Sequence, residues 1–246
     1  MRPVAWSWLG RVRYEEGLER QRAHRARVIA GVADEAIWLL EHDSVITTGR
    51  RPVDGLPTLA AQEAAGIRVV RTERGGLATW HGPGQIVAYA ILNAWDRGLG
   101  ARGTICALEA GVISTLASMG IQSARRTGYP GVWVGTDKIC AVGMHFSRGV
   151  SMHGIALNLD PDPAGFGLIL PCGIRDGGVT SVARLTGAAP TPYEAAPTLG
   201  QALQQAIARA TREKGPQSAS IGLTSPGPSD SSARSQARSS VGRAPS

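Results

Sequence analysis

Cys172 has the sequence setting of a reactive thiol. Pro171 and Gly173 flank it, and such residues predict a turn rather than the interior of a strand. Cys140, in an apolar strand-like run, and Cys106, in a helical run, are instead predicted to be core residues. A thiol attacks as the thiolate, so Cys172 would need a base or a positive charge nearby. A packed structural cysteine is the alternative interpretation.

Lys138 is a candidate partner for that thiol. The chain contains 24 arginines and only one other lysine, Lys214, so a lysine at the start of a predicted strand is unusual. Lysine can lose its proton near neutral pH when it is buried, and arginine cannot. His81, His145 and His153 are further candidates for activating a thiol. A plain surface-turn lysine remains the alternative.

A glycine-rich segment, RGGLATWHGPGQ, spans residues 74–85. Glycine amides approach a ligand closely, and the arginine at its start favours an anion or a carbonyl. The chain has no GxxxxGK[ST] loop and no GxGxxG opening a helix, so a common nucleotide-binding loop is not predicted. A glycine-rich hairpin without a ligand is the alternative.

The cysteine and histidine spacings predict neither a metal site nor a disulfide framework. Three cysteines without a CxxC pair fit a reducing compartment. No usual zinc pattern is formed by the candidate ligands His81, Cys140, His145, His153 and Cys172.

Alternating and β-branched runs predict a sheet that would position these residues. Predicted strands cover residues 4–9, 35–42, 45–48, 67–72, 78–81, 85–92, 132–134, 138–146 and 150–159. A Gly82-Pro83-Gly84 turn predicts a hairpin between the runs on either side of it. Mixed helices and mostly antiparallel strands predict an α+β domain with helices flanking the sheet.

Helices are predicted over residues 13–28, 104–119 and 193–212. Thr104 is the predicted N-cap of the second helix, and Gly120 its C-terminal stop. Thr191 is the predicted cap of the third helix, with Pro192 at its first position. Residues 215–246 contain mostly Ser, Gly, Pro, Ala and Arg, and cannot bury enough apolar surface to order themselves. The sequence therefore predicts one domain over residues 1–214 and a disordered tail over 215–246.

The net charge of +7 does not predict a nucleic-acid-binding protein. The excess lies in the first 30 residues and in the tail, and no basic stripe with aromatic residues crosses the body of the chain. A basic first helix would suit an acidic protein partner or simply form a solvated face. No signal peptide and no apolar run of about 18 residues is present, which predicts a cytoplasmic protein without a membrane span.

Several segments, in order, resemble the motifs of the lipoyl(octanoyl) transferases. Residues 74–85 resemble RGGxxTxHGPGQ, and residues 131–143, GVWVGTDKICAVG, resemble GVWV…KIAAIG. Residues 153–158, HGIALN, are similar to HGFALN, and residues 171–174 to PCGI. LLEHDSVITTGR at residues 39–50, with Tyr14 and Gln21, also fits the pattern. The resemblance covers residues 4–210, with departures at Leu77, Trp80 and Cys140.

The resemblance implies a role for each matching residue. Cys172 matches the cysteine that carries the acyl group, and Lys138 the lysine that lowers its pKa. The implied fold is that of lipoate and biotin protein ligases, with no cofactor. The implied substrate-binding residues are Arg74, Gly75, Gly76, Leu77, Ala78, Thr79, Trp80, His81, Ala141, Val142, Gly143, Gly154, Ile155 and Ala156.

The implied activity is octanoyl transfer from an acyl carrier protein to a lysine of a lipoyl domain through a cysteine thioester. The implied acceptors are lipoyl domains of 2-oxoacid dehydrogenases and the glycine cleavage H protein. Transfer between two thioesters needs no ATP, and glycine amides near residues 75–76 or 173 would stabilise the oxyanion. Two alternatives stay open: an ATP-dependent lipoate or biotin ligase, and a module that only binds an acyl carrier.

Overall fold

Two sheets organise the chain, and the computed structural model describes residues 2–53, 55–169 and 177–214. The large sheet has the order β1-β2-β6-β10-β9-β8-β7, and the small sheet β4-β3-β5. The strands are β1 (Ala5–Val12), β2 (Ala36–His42), β3 (Val45–Thr48), β4 (Arg68–Arg71), β5 (Thr79–His81), β6 (Gln85–Ile91), β7 (Ala124–Arg126), β8 (Tyr129–Val134), β9 (Asp137–Ser147) and β10 (Val150–Asn158). The helices are α1 (Tyr14–Ile29), α2 (Leu59–Ala65), α3 (Gly100–Ser118), α4 (Pro163–Gly167), α5 (Val182–Thr186) and α6 (Pro192–Lys214).

Most strand pairs are antiparallel. β1 pairs with β2 in parallel, and β3 with β4 in parallel, whereas the other pairs between named strands are antiparallel. The predicted α+β class with a mixed, mostly antiparallel sheet is therefore confirmed.

Helices cover both faces of the large sheet. On one face, α3 and α6 bury the main core, and a Cβ added at Gly111 would lie 2.9 Å from the Cα of Leu203, so glycine permits the close approach of the two helices. On the other face, α1 packs on β6 and β10. Tyr14 and Leu18 of α1 join Val45 of the small sheet and Met152 of the large one in a second buried cluster. This second face holds the cavity described below.

The predicted hairpin around Gly82-Pro83-Gly84 is wrong. β5 pairs with β3 in the small sheet, whereas β6 pairs with β2 and β10 in the large one. The turn therefore carries the chain from one sheet to the other. Local turn signals specify a reversal of direction, but the partner of each strand depends on residues far away in sequence.

The helix ends differ in how well local signals predicted them. Thr191 caps α6 as predicted, because its Oγ1 accepts from the amide of Glu194 while the Glu194 carboxylate accepts from the amide of Thr191. Thr104 is not a cap, since α3 begins at Gly100 and the Thr104 hydroxyl donates to the Gly100 carbonyl. The short elements α2, α4, α5 and β7 carried too few residues to show a period.

Two predicted features lie outside the described residues: the segment around Cys172 and residues 215–246. Within the described ranges, no helix is both long and apolar enough to cross a membrane.

Candidate active site

A narrow cavity lies between the large sheet, β5 and the start of α1. Its lining includes these sequence-predicted residues: Arg74, Thr79, His81, Ala141, Gly143, Gly154, Ile155 and Ala156. Tyr14, Val87, Tyr89 and His153 complete it. The other predicted binding residues of the described chain, Gly75, Gly76, Leu77, Ala78, Trp80 and Val142, do not line it.

Glycines let the backbone come close around this cavity. A Cβ at Gly154 would meet the Ala88 carbonyl oxygen at 2.0 Å, and one at Gly143 would meet the Gly75 oxygen at 3.1 Å. The amide of Gly75 donates to the Met144 carbonyl at 2.9 Å, so this amide is already used. Of the glycine amides near residues 75–76 and 173 expected to stabilise an oxyanion, that of Gly75 is thus bonded within the protein, and the expectation stays a prediction for the others. The loop of residues 74–77 instead closes onto β9.

Arg74 is a buried residue whose guanidinium holds the glycine-rich loop in place. Its Nη2 donates to the Thr47 carbonyl at 2.6 Å and its Nη1 to the Gly75 carbonyl at 3.0 Å. The Thr47 hydroxyl is a further partner. Arg74 thus lines the cavity while several of its donors are satisfied by the loop and by β3.

His81 is held in one orientation at the cavity wall. Its Nδ1 lies 2.7 Å from Gln85 Oε1, and its ring stacks on that of Tyr14 at a centroid distance of 6.0 Å. Burial is the main cause that lowers the pKa of His81 to about 3, with smaller contributions from the nearby His42 and Arg74. The ring is therefore neutral at physiological pH.

Tyr89 lines the cavity and forms a buried pair with His42, which is not part of the lining; the sequence analysis singled out neither residue. The His42 Nδ1–H donates to the Val12 carbonyl at 2.6 Å, so its Nε2 accepts from the Tyr89 hydroxyl at 2.5 Å. Burial lowers the pKa of His42 to about 4 and raises that of Tyr89 well above its usual range. A histidine within an apolar strand was the only sequence signal for this pair.

His153 lies in the left-handed region, with φ of 64°. Few residues other than glycine adopt it, and such strain persists only where surrounding contacts impose it. Here the His153 amide donates to Gln21 Oε1 at 2.8 Å. Burial lowers the pKa of His153 to about 3, and burial also lowers the pKa of His145. The three histidines named as candidates for thiol activation are therefore neutral rather than cationic near pH 7.

A β-bulge directs Lys138 toward the face of the sheet that holds the cavity. Val132 pairs with Cys140 while Trp133 pairs with Lys138, so Ile139 is an extra residue in β9. Ile139 and Cys140 consequently both face the main core. Because strand side chains otherwise alternate, this shift puts Lys138 on the same face as Ala141 and Gly143, which line the cavity.

Aromatic and glycine residues of β8 hold the Lys138 side chain. Its Nζ lies 4.8 Å from the ring centroid of Trp133, within the range of a cation–π contact. A Cβ at Gly131 would lie 3.3 Å from Lys138 Cε, so glycine leaves room for the lysine stem. The Trp133 ring is fixed in turn by a hydrogen bond from Nε1 to the Tyr129 carbonyl at 3.1 Å.

The segment that follows the Cys172 region runs beside Lys138. The Lys138 amide donates to the Gly178 carbonyl at 2.9 Å, and the Thr180 amide donates to the Lys138 carbonyl at 3.0 Å. The Gly178 amide also donates to Asp137 Oδ1 at 2.8 Å. The described chain resumes at residue 177, and Gly178, six residues after Cys172, is in direct contact with the backbone of Lys138.

Trp80, one of the departures from the family pattern, does not form part of the cavity wall. Thr79 and His81 face the cavity, and Trp80, between them on β5, points to the opposite side. There it packs edge-on against Phe166 at 5.2 Å, and a Cβ at Gly165 would lie 2.2 Å from its ring. Trp80 therefore supports α4, the last helix before the Cys172 region.

The other two cysteines, Cys140 and Cys106, differ in how deeply they are buried. Cys140 is fully buried on β9, and burial raises the pKa of its thiol. Cys106 is only half-buried on α3, where it lines a groove beside α6, so the prediction that it belongs to the core is wrong. Among the described residues, no group of three or more His, Cys, Asp or Glu side chains is arranged to hold a metal ion.

Solved structures with the same fold are lipoate and biotin protein ligases. A bi-partite lipoate protein ligase from Thermoplasma acidophilum matches with a TM-score of 0.62 at 14% identity, covering 85% of this chain and 91% of its own. Lipoate-protein ligase A bound with ATP matches at 0.60 and 14%, covering 87% and 85%. Biotin protein ligase from Aquifex aeolicus, in complex with biotin and ATP, matches at 0.51 and 15%, covering 85% and 72%. The fold implied by the sequence is confirmed.

The structural neighbours show the fold, whereas sequence comparison identifies the family. The lipoyl protein ligase A/B catalytic domain matches residues 13–204. The octanoyltransferase of Chloroflexus aggregans is 43% identical over 204 residues, covering 81% of this chain and 92% of the relative. That of Clavibacter sepedonicus is 41% identical over 211 residues, covering 80% and 86%. The chain belongs to the octanoyltransferase family of acyltransferase enzymes, as its motifs implied.

Proposed function

We propose that this protein transfers an octanoyl group from an acyl carrier protein to a lysine of a lipoyl domain, through a thioester on Cys172. The observation that carries the proposal is the position of Lys138. A bulge turns its side chain toward the cavity face, and the chain after Cys172 is hydrogen-bonded to its backbone.

Chain length limits how far Cys172 can lie from this site. Cys172 is three residues from Ile169, which packs with Trp80 and Ile46, and six residues from Gly178, which contacts Lys138. At no more than about 3.6 Å per residue, the two limits are about 11 Å and about 22 Å. One end of the segment thus packs on β5, the strand whose Thr79 and His81 line the cavity, and the other end contacts the backbone of Lys138, which supports a role for Cys172 there.

Charge favours Lys138 over histidine as the partner of the thiolate. A thiolate is stabilised by a nearby positive charge. His81 and His153 have pKa values of about 3 because they are buried, so neither ring supplies that charge near neutral pH. Lys138, held against Trp133, is the cationic candidate on the cavity face.

Each of the two transfers forms one bond to the acyl carbon and breaks one, and neither needs an external energy source. In the first, the Cys172 thiolate attacks the donor thioester carbonyl, a new C–S bond forms, and the carrier thiolate leaves with the electron pair of the broken bond. In the second, the neutral lysine amine of the acceptor attacks the Cys172 thioester. A C–N bond forms, the C–S bond breaks, and the proton lost by the amine neutralises the departing thiolate. Lys138 is the group proposed to carry that proton from the amine to the departing Cys172 thiolate in the second step.

The assignment of the acceptor rests on relatives. Curated relatives at 41–43% identity are octanoyltransferases. The archaeal lipoate protein ligase that shares the fold was solved in a study that included its E2 lipoyl domain. We extend this acceptor class to the present chain, together with the acyl carrier protein as donor.

Acyl transfer in the absence of ATP tests the proposal against its rivals. Incubation with octanoyl-acyl carrier protein should add one octanoyl mass to the protein, and Cys172→Ser should abolish both adduct and transfer. Cys106→Ser, which changes a half-buried thiol outside the cavity, is the matched control and should retain both. Transfer that requires ATP would indicate a ligase, and an unreactive protein that still binds the carrier would indicate a binding module.

The charge of Lys138 can be tested on the thiol itself. A cation within a few ångströms lowers the pKa of a thiol by about 1–3 units. The rate of Cys172 alkylation, measured against pH, should therefore have its midpoint below about 8.5. Lys138→Ala should raise that midpoint and slow transfer. Lys138→Arg should keep the midpoint low, because arginine keeps the positive charge, but transfer should be slow, because arginine cannot release a proton. An unchanged midpoint in Lys138→Ala would reject the electrostatic role.

A further inference from the structure

Two residues that end the sequence motifs have no part in the proposed mechanism. Gln85 closes the glycine-rich motif, and Asn158 closes HGIALN. They face each other in register on the neighbouring strands β6 and β10. Gln85 is 2% exposed and Asn158 is 4% exposed, so both amides must find partners inside the protein.

These amides form a hydrogen-bonded chain that starts at the cavity. The ring of His81 bonds through Nδ1 to Gln85 Oε1 at 2.7 Å. Gln85 Nε2 donates to Asn158 Oδ1 at 2.9 Å, and Asn158 Nδ2 donates to the Thr180 carbonyl at 3.0 Å. The Thr180 amide donates to the Lys138 carbonyl at 3.0 Å. The chain therefore connects the cavity histidine to the strand that carries Lys138.

The carbonyl at the far end fixes the direction of every bond. A backbone carbonyl only accepts, so Asn158 must present its NH₂ group to Thr180 and its oxygen to Gln85. Gln85 must then present its NH₂ group to Asn158 and its oxygen to His81. That oxygen also only accepts, so the proton of the neutral His81 ring must be on Nδ1.

The second ring nitrogen of His81 is consequently a free acceptor. In the described part of the chain, Nε2 makes no hydrogen bond, and the side chain lines the cavity. Stacking on Tyr14 restricts rotation of the ring. With a pKa of about 3, His81 is too weak a base to hold a proton near pH 7. Nε2 of His81 can therefore accept a hydrogen bond without removing the proton from the donor.

We propose that Gln85 and Asn158 are positioning residues that hold His81 as the Nδ1–H tautomer, so that its Nε2 lone pair binds an N–H of the acceptor's primary amine. This assignment rests on the proposed acyltransfer to an amine. A hydrogen bond from one N–H fixes the direction of the nitrogen lone pair, and this orients the amine for attack on the thioester.

The tautomer can be measured without any substitution. In the ¹⁵N-labelled wild-type protein at pH 7, long-range ¹H–¹⁵N spectra should give His81 a protonated Nδ1 and an unprotonated Nε2. Gln85→Met removes the acceptor while keeping the length of the side chain, and should shift the population toward Nε2–H. A purely structural role of Gln85 does not change the tautomer. Nε2–H in the wild type would overturn the proposal.

The kinetic test separates the two half-reactions. Gln85→Met should form the octanoyl adduct at a rate within about twofold of wild type, and its reaction with a lipoyl domain should slow by about tenfold, the effect of one lost hydrogen bond. Gln85→Glu keeps an acceptor for Nδ1–H but loses the donor to Asn158, so it should keep the Nδ1–H tautomer and recover part of that rate. Gln204→Met is the matched control and should be unaffected in both steps, because Gln204 lies on α6 and its amide donates to the Val4 carbonyl.

The outcomes distinguish this proposal from the proposed function. If the wild type forms no octanoyl adduct, the proposed function fails and the amine assignment fails with it. If the adduct forms but Gln85→Met passes it to the lipoyl domain at the wild-type rate, only the present proposal is overturned. Should Gln85→Met not fold, the wild-type tautomer and the Gln85→Glu rate decide the question.

Discussion

Burial sets the protonation state of the rings around the cavity. His42, His81 and His153 have pKa values of about 4, 3 and 3, and in each case loss of solvation is the largest cause. Tyr14, beside them, has a pKa raised to about 12 for the same reason. The lining of the cavity is therefore uncharged at neutral pH apart from Arg74. An uncharged lining suits an apolar acyl chain.

We predict that these rings make the protein sensitive to mild acid. In the unfolded chain the histidines titrate near 6.5, so the unfolded state binds more protons as the pH falls below that value. Between pH 7 and pH 5, each buried ring should lower the free energy of unfolding by about 2 kcal/mol. Urea unfolding at the two pH values measures this loss. Equal unfolding free energies would contradict burial of neutral rings.

Trp133 gives a second prediction at the residue scale. If its ring holds the Lys138 ammonium at 4.8 Å, loss of the ring face should slow transfer by about three- to tenfold. Trp133→Leu should show that loss, whereas Trp133→Phe keeps an aromatic face and should keep most of the rate. The comparison of kcat in the two variants is the measurement. Equal kcat values for Trp133→Leu and Trp133→Phe would mean that the Trp133 ring only fills space.

At the scale of elements, α4 depends on a close contact with β5. Gly165 lies against the Trp80 ring, whereas Gly167, in the same helix, has no atom within 4 Å of an added Cβ. The two glycines therefore provide a matched pair. The contact matters because α4 leads into the segment that contains Cys172.

We predict that Gly165→Ala destabilises the protein by about 1–3 kcal/mol through overpacking against Trp80. Gly167→Ala should be neutral or slightly stabilising, because alanine favours a helix. Adding Trp80→Phe should recover part of the loss in Gly165→Ala by making room for the methyl group. Urea unfolding of the four proteins measures these effects, and equal values for the two alanine variants would reject the steric explanation.

On the scale of the whole molecule, α6 is the last described element. Its buried residues end at Ile207, and Lys214 is its final residue. The residues after it contain almost no large apolar side chains. We propose that the catalytic domain comprises residues 1–214 and does not need the rest.

Truncation after Lys214 should therefore leave both stability and catalysis almost unchanged. We expect a shift in Tm of less than about 2 °C, because a loss of 1 kcal/mol would move it by about 2–4 °C in a domain of this size. Octanoyl transfer should also keep its rate. A large loss of either would show that residues 215–246 pack on the domain or bind a substrate.

The sequence by itself determined the α+β class, most strand and helix positions, and the family. Those features follow from local periodicity, capping residues such as Thr191 and motifs whose order along the chain is specific. It also singled out Cys172 and Lys138 as chemical candidates. These inferences need no knowledge of which segments meet.

Only the tertiary structure decided which segments form the site. Register is a long-range property, so three features left no local signal: the bulge that turns Lys138 toward the cavity, the separation of β5 from β6 into two sheets, and the packing of Trp80 on the side away from the cavity. Burial is likewise set by the whole fold, and it keeps neutral three histidines that the sequence offered as candidates for activating the thiol. The pairing of Gln85 with Asn158, 73 residues apart, depends on the same long-range register.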